Sequence, residues 1–170
     1  GETVAVGTHK GIELRSAPTV MHKYLETPLH ALISFLALAW DDRVDLVLLC
    51  NAANSPFAWV ARLQGIPVVI NVDGIERNRS KWNRLGKLWY RLGEVASVLF
   101  ASKVVADARV IADYYAATYR TEAAVIAYGA TVHTRPPGDV LAQFGIRSRE
   151  YLLYVSRLEP ENNALGVVQA

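Results

Sequence analysis

Ile66-Pro67-Val68-Val69-Ile70-Asn71-Val72-Asp73-Gly74-Ile75-Glu76 is an apolar run that ends in a carboxylate, a glycine and a second carboxylate. The run from Val68 to Val72 reads as a buried strand. In an open α/β sheet, ligands bind beyond the carboxyl ends of the strands. Asp73 and Glu76 therefore stand where a polar ligand would be met. The continuation, Arg77-Asn78-Arg79-Ser80-Lys81-Trp82, adds cations, and the cluster suits a polar, anionic substrate. The plainer alternative is a strand-to-helix loop with solvated charges.

The same alternation extends in both directions. Upstream, Gly11 to Arg15 reads as a short strand. Thr27-Pro28 reads as an N-cap followed by proline at the first helical position, opening a helix to about Trp40. Asp41-Asp42-Arg43 is the turn into a buried strand, Val44 to Cys50. Ser55-Pro56 repeats the cap-plus-proline signal for a short helix through Leu63, closed by Gln64-Gly65. Downstream, a long helix is expected from about Lys81 to Ala101, a strand from Lys103 to Ala106, a helix from Val110 to Thr118 and a strand from Glu122 to Ala127. Thr131 to Gly138, with Pro136-Pro137, reads as a linker. A short helix, Asp139 to Phe144, and a strand, Tyr151 to Val155, complete the pattern.

Strands alternating with helices predict an α/β fold with a parallel, doubly wound, Rossmann-like sheet. Neither G-x-G-x-x-G nor G-x-x-x-x-G-K-[ST] occurs, so the dinucleotide fingerprint and the P-loop are both missing. The strand at Tyr151 lies beyond the proline pair with no later strand to join, so it reads as the first strand of a second domain or, more plainly, as an edge partner of the first sheet. Two parts are expected: residues 1–135, one domain without its opening strand, and residues 136–170, a linker and the start of a second domain.

In 170 residues, 52% hydrophobic and 20% charged, a packed core is feasible and disorder is not expected. A net charge of +2 does not imply a nucleic-acid partner. Cys50 is the only cysteine, so internal disulfides and cysteine-based zinc sites are excluded; it closes an apolar run and reads as a buried bystander. A cytoplasmic setting fits this usage. The start shows no signal peptide, and Leu29 to Trp40 is shorter than the roughly 20 residues that span a bilayer.

Several motifs in register carry a resemblance. Asn51-Ala52-Ala53-Asn54-Ser55-Pro56-Phe57 is followed by Val69 to Glu76, then by Arg79-Ser80-Lys81-Trp82. Further on come Val104-Val105-Ala106-Asp107 with Ile111-Ala112-Asp113-Tyr114-Tyr115, then Ala127-Tyr128-Gly129-Ala130, and Arg157-Leu158-Glu159-Pro160-Glu161-Asn162-Asn163. From about Gly11 onward the chain resembles bacterial family 4 glycosyltransferases, closest to the rhamnosyltransferase-like branch of cell-surface polysaccharide assembly. The resemblance implies a GT-B architecture, two Rossmann-like domains facing across a cleft, with the acceptor on the N-terminal one and a nucleotide-sugar donor on the other. It implies that this sequence holds most of the acceptor domain and only the beginning of the donor domain, and that such a fragment is inactive alone. Arg77, Asn78, Ala108, Ala127 and Cys50-Asn51 depart from the family's pattern, which weakens the case for a serine or histidine role there; His133 reads as a surface residue.

Each candidate has a chemical role. The resemblance places Arg157 as the arginine that holds the donor diphosphate, where a guanidinium offers a fixed fork of donors to phosphate oxygens. Glu161, Asn162 and Asn163 follow it in the donor loop. Asp73 and Glu76 are the catalytic candidates, orienting acceptor hydroxyls or serving as a base; acids before a helix also favour its dipole without any substrate. Gly74 supplies a turn or a close approach. Asn54 and Ser55, at a helix start, can offer free amides to an oxygen, or Ser55 can be a cap alone. Arg79 and Lys81 complete the acceptor side. Transfer is expected to need no metal and no cofactor beyond the nucleotide-diphosphate sugar as substrate.

Lys81, Arg84, Lys87 and Arg91 share one helical face beside a stripe of Trp82, Leu85, Trp89 and Leu92. The plain reading is a core stripe beside a solvated basic face. The sharper one is contact of the 81–92 helix with an anionic membrane surface or a lipid-linked acceptor. The function expected from sequence is a glycosyltransferase, transferring a sugar to a glycan or lipid-linked acceptor. The alternative is a non-catalytic α/β binding or interaction module derived from such an enzyme.

Overall fold

The computed structural model describes residues 7–22, 24–41, 43–134 and 138–170; the side chain of Glu161 lies outside that description, as do Asp42 and Pro136-Pro137 of the expected turn and linker. The chain divides into two compact units, Gly1–Ala127 and Tyr128–Ala170.

The first unit opens with a hairpin of β1 (Gly7–His9) and β2 (Ile12–Leu14), paired antiparallel. Lys10 and Gly11 between them both have positive φ, 50° and 82°, the conformation that a tight two-residue hairpin turn requires. Arg15 donates to Asp41 at 2.6 Å, and Arg43 ion-pairs with the same carboxylate. These bonds tie the foot of the hairpin to the turn after helix α1 (Glu26–Leu38). That helix begins before Thr27: Leu25 occupies the cap position with no side-chain bond, and Thr27 and Pro28 lie inside the first turn. A proline is tolerated there because first-turn amides have no intrahelical partner to lose.

Four strands then form a parallel sheet in the order β3-β4-β5-β6: Val47–Cys50, Val68–Val72, Lys103–Ala106 and Ala124–Val125. Helices α2 (Trp59–Leu63), α3 (Arg84–Phe100) and α4 (Arg109–Tyr119) connect them. The fold is α/β and Rossmann-like. Its core sits on β4 and β5, where Val68, Ile70, Val72, Val104 and Ala106 pack with Phe35, Ala61, Ile111 and Tyr115. The expected strand from Val44 shortens to Val47–Cys50 and is only half buried, because β3 is an edge of the sheet. Leu48 and Cys50 point to its uncovered side, so Cys50 is exposed rather than a buried bystander. The strand expected from Glu122 reduces to two residues at the other edge.

Helix α3 starts at Arg84, with Asn83 as its cap accepting from the Gly86 amide at 2.9 Å, so Lys81 and Trp82 precede it. Its buried residues are Gly86, Gly93, Glu94, Ala96 and Ser97. Leu85 and Leu92, expected in a core stripe, are exposed. Small residues face inward because α3 lies against the 3-10 turn Ala52–Phe57: a Cβ on Gly93 would stand 2.4 Å from the carbonyl oxygen of Ala52. No helix among the described residues is long and apolar enough to cross a membrane.

The second unit carries α5 (Val140–Gln143) and α6 (Ala164–Gln169). Tyr151–Val155 forms no strand. A strand exists through its ladder, and no described segment of this unit pairs with the run, so its apolar side chains stand exposed.

Candidate functional site

The carboxyl ends of β3, β4 and β5 deliver the polar residues to one edge of the sheet. After β3 the chain turns sharply at Asn51, whose φ is 74°. Its side chain accepts from the Ala53 amide at 2.9 Å. The cap of this turn is therefore Asn51, not Ser55. Non-glycine residues held in such sparsely populated backbone regions cluster at functional sites. Asn54 donates to the Cys50 carbonyl at 3.1 Å. Its own Oδ1, the fully buried Ser55 Oγ and one oxygen of Asp107 at the end of β5 are buried without a hydrogen-bond partner. Buried polar atoms are rarely left so, and each calls for an explanation such as a ligand or water.

The two carboxylates after β4 differ in their surroundings. Glu76, in the 3-10 turn Glu76–Asn78, is engaged on both oxygens. Arg79 donates at 2.6 Å, Lys81 stands at 3.8 Å, and the Trp82 indole N–H makes a long bond of 3.4 Å. No ion pair reaches Asp73 among the described residues. Although the residue is exposed, partial burial of its carboxyl raises its pKa above the usual carboxylate range, with Glu76 and Asp107 adding repulsion and a backbone hydrogen bond opposing. Asp73 is thus the acid better placed to exchange a proton with a hydroxyl, and Glu76 is the anchor of a charged cluster. Around Gly74 nothing lies within 4 Å of where a Cβ would stand, leaving open space beside the backbone.

Beside this cluster lies a cleft of about 300 Å³ walled by Tyr24, Trp82, Trp89 and Tyr90, with Thr27 and Asn83 among its polar groups. Trp82 and Tyr90 stand 5.0 Å apart between ring centroids. The Trp89 indole N–H donates to the Ala53 carbonyl at 3.1 Å, fixing its ring. Burial, with Glu76 nearby, pushes the Tyr90 phenol up to about 12, so it remains a neutral hydroxyl at physiological pH. Trp82 belongs to both the cleft and the charged cluster.

Behind the loop, Glu94 is nearly fully buried and accepts from Arg77, from Tyr114 at 2.8 Å and from Tyr119 at 2.5 Å. Arg77 also donates to Tyr114 at 2.6 Å, which raises the guanidinium pKa further. The network clamps the loop after β4 to α3 and α4.

The span that carries this edge of the sheet has relatives. Residues 46–131 match a family described as a domain of unknown function, DUF1972. The chain belongs to the DUF1972 family. No curated protein and no solved structure matches it. The DUF1972 span takes in Asn51 to Lys81, Glu94 and Asp107, while Tyr24 and Thr27 of the cleft and the Arg157 loop lie outside it.

That loop belongs to the second unit of this DUF1972 chain. The Arg157 side chain is largely exposed, 3.9 Å from Glu159. Its carbonyl accepts from Asn162 Nδ2 at 2.7 Å and from the Ser156 hydroxyl at 3.2 Å. Asn163 has a left-handed backbone, φ 51°, at the start of α6. The expected role of Glu161 falls on a side chain outside the described residues. Among the described residues no group of three or more histidine, cysteine or acidic side chains is placed to hold a metal ion.

Sequence reasoning singled out Asp73, Glu76, Arg79 and Lys81, which lie together in the loop after β4, and did not single out Tyr24, Tyr90 or the Glu94 network. Asp107 was legible by the rule that picked out Asp73: it is the first residue after a buried strand. Tyr24 carried no signal, since only tertiary packing brings it to Trp82, at 6.1 Å between ring centroids.

Proposed function

We propose that this chain is the acceptor-side part of a glycosyltransferase, which moves a sugar from a nucleotide-diphosphate donor to a glycan or lipid-linked acceptor in cell-surface polysaccharide assembly. The observation that carries the reading is the junction at Trp82, where an aromatic-walled cleft meets a carboxylate cluster at the carboxyl edge of a Rossmann-like sheet. Aromatic faces suit the apolar faces of a sugar ring, and carboxylates beside them suit its hydroxyls. Asp73, held partly protonated at higher pH than an ordinary aspartate, orients the acceptor hydroxyl or takes its proton. Asn54 and Gly74 border the acceptor, while Ser55, fully buried, supports the turn from within, and Glu76 holds Arg79 and Lys81 in the following loop. Arg157 holds the donor diphosphate with its exposed guanidinium, and Glu161, Asn162 and Asn163 follow it in the donor loop. The transfer uses no metal.

The test is a titration of oligosaccharides and nucleotide diphosphates followed by tryptophan fluorescence and calorimetry. Saccharide binding should perturb the fluorescence, vanish in Trp82→Ala and weaken in Asp73→Ala. Nucleotide diphosphate binding should be lost in Arg157→Ala. A folded chain that binds no saccharide, or that binds one equally well after both acceptor-side substitutions, overturns the reading.

A further inference from the structure

Helix α3 turns its small residues inward and its large apolar ones outward. Leu85, Leu88, Leu92, Val95 and Leu99 are 38% to 76% exposed. Their alternating spacings of three and four put them on one face. At 1.5 Å per residue the stripe runs about 21 Å along the helix. Continuous apolar surface of this kind marks an interaction site.

Arg84, Lys87 and Arg91 line the border of the stripe, and among the described residues no carboxylate pairs with any of them. The helix's only acid, Glu94, is buried and committed to Arg77 and two tyrosines. At the same border an open cleft of about 440 Å³ is lined by Arg77, Asn78, Lys87, Leu88 and Arg91. Leu88 thus belongs to both the cationic cleft and the apolar stripe.

We propose that the outward face of α3 seats the protein on an anionic lipid bilayer, with lipid phosphates in the Lys87–Arg91 cleft and acyl chains against the leucine stripe. A second copy fits this face poorly, because the stripe carries cations along its border and no exposed carboxylate to meet them. An anionic bilayer supplies both complements at once: negative headgroups and an apolar layer beneath them. Seating through α3 goes beyond sugar transfer and does not depend on it.

The experiment is vesicle flotation of the whole chain with phosphatidylcholine alone and with phosphatidylcholine containing phosphatidylglycerol, alongside sedimentation velocity without lipid. The expected result is binding to the anionic vesicles only. Replacing both Lys87 and Arg91 by serine should weaken it about 30-fold, from ~1 kcal/mol per cation near an anionic surface. Leu92→Ser should weaken it roughly tenfold, a conservative figure for one leucine withdrawn from an apolar layer. All three side chains are exposed, so the melting temperature should fall only by the few degrees that serine's weaker helix propensity accounts for. A folded chain that floats with neither vesicle, or that binds both equally, overturns the proposal. So does binding indifferent to these substitutions, and so does a dimer that Leu92→Ser dissolves, which would assign the face to a second copy.

Discussion

Replacing Gly93 by alanine should destabilise the protein, against the usual sign for a glycine in a helix. In an exposed helix interior the change is worth about 1 kcal/mol in favour of alanine. Here the new Cβ would stand 2.4 Å from the Ala52 carbonyl oxygen, 2.9 Å from its carbon and 3.2 Å from Ala53 Cα. All three are backbone atoms of a buried turn and cannot rotate aside. To reach ordinary contact α3 must retreat by roughly 1 Å, and a gap of that size forfeits up to half the dispersion attraction along the seam. The retreat also stretches the 3.1 Å bond from Trp89 to the Ala53 carbonyl, worth about 1 kcal/mol. Overpacking of this kind costs about 1–3 kcal/mol. With the lost bond added and the helix gain subtracted, the net is about 1–3 kcal/mol destabilising, or a melting temperature lower by several degrees. Gly86→Ala is the internal comparison: its Cβ would meet the Trp82 ring at 3.1 Å, a side chain that can yield. Thermal melts followed by circular dichroism decide the matter. If Gly93→Ala melts at or above the parent temperature, the close seam between α3 and the turn after β3 is wrong, and with it the placement of Trp89 in the cleft.

Two further changes probe the loop after β4. Glu94→Ala strips the acceptor from Arg77, Tyr114 and Tyr119 and should cost about 3 kcal/mol, at the lower end for a broken buried pair because Arg77 keeps some access to water. Urea denaturation with an unchanged slope would show it, and a loss below about 1 kcal/mol would mean that the network is solvated. Asp73→Asn should raise stability at neutral pH. The native carboxyl binds its proton more tightly than the unfolded one, so stability falls as pH rises from the ordinary aspartate range, about 4, through the raised native pKa. The advantage of asparagine should therefore close in acid, and a melting-temperature gap constant with pH would contradict the raised pKa.

The central sheet was legible because its strands are apolar runs bounded by turn chemistry, and β4 and β5 appear within a residue of where Val68–Val72 and Lys103–Ala106 predict them. The edges were not. Val44–Leu46 and Glu122–Ala123 lie outside the observed ladders, and no described segment of its unit pairs with Tyr151–Val155. Helix α3 misled for a different reason. Periodicity reports that a helix has an apolar face, not which way that face turns, and the glycines at 86 and 93 were the sign that the other side made the close approach. In the site, charges placed next to strand ends could be read directly. The cleft could not, since Tyr24 reaches Trp82 and Tyr90 only through packing of segments distant in sequence.

The bare side of β3 has a practical use. Cys50 is the chain's only cysteine, it is exposed, and it directly precedes Asn51 at the turn that begins the candidate site. Because an accessible thiol reacts where a buried one stays inert, a maleimide dye would attach at one defined position without any engineered residue. Occupancy of the site could then be followed as a change in dye emission, independently of the tryptophans that line the cleft.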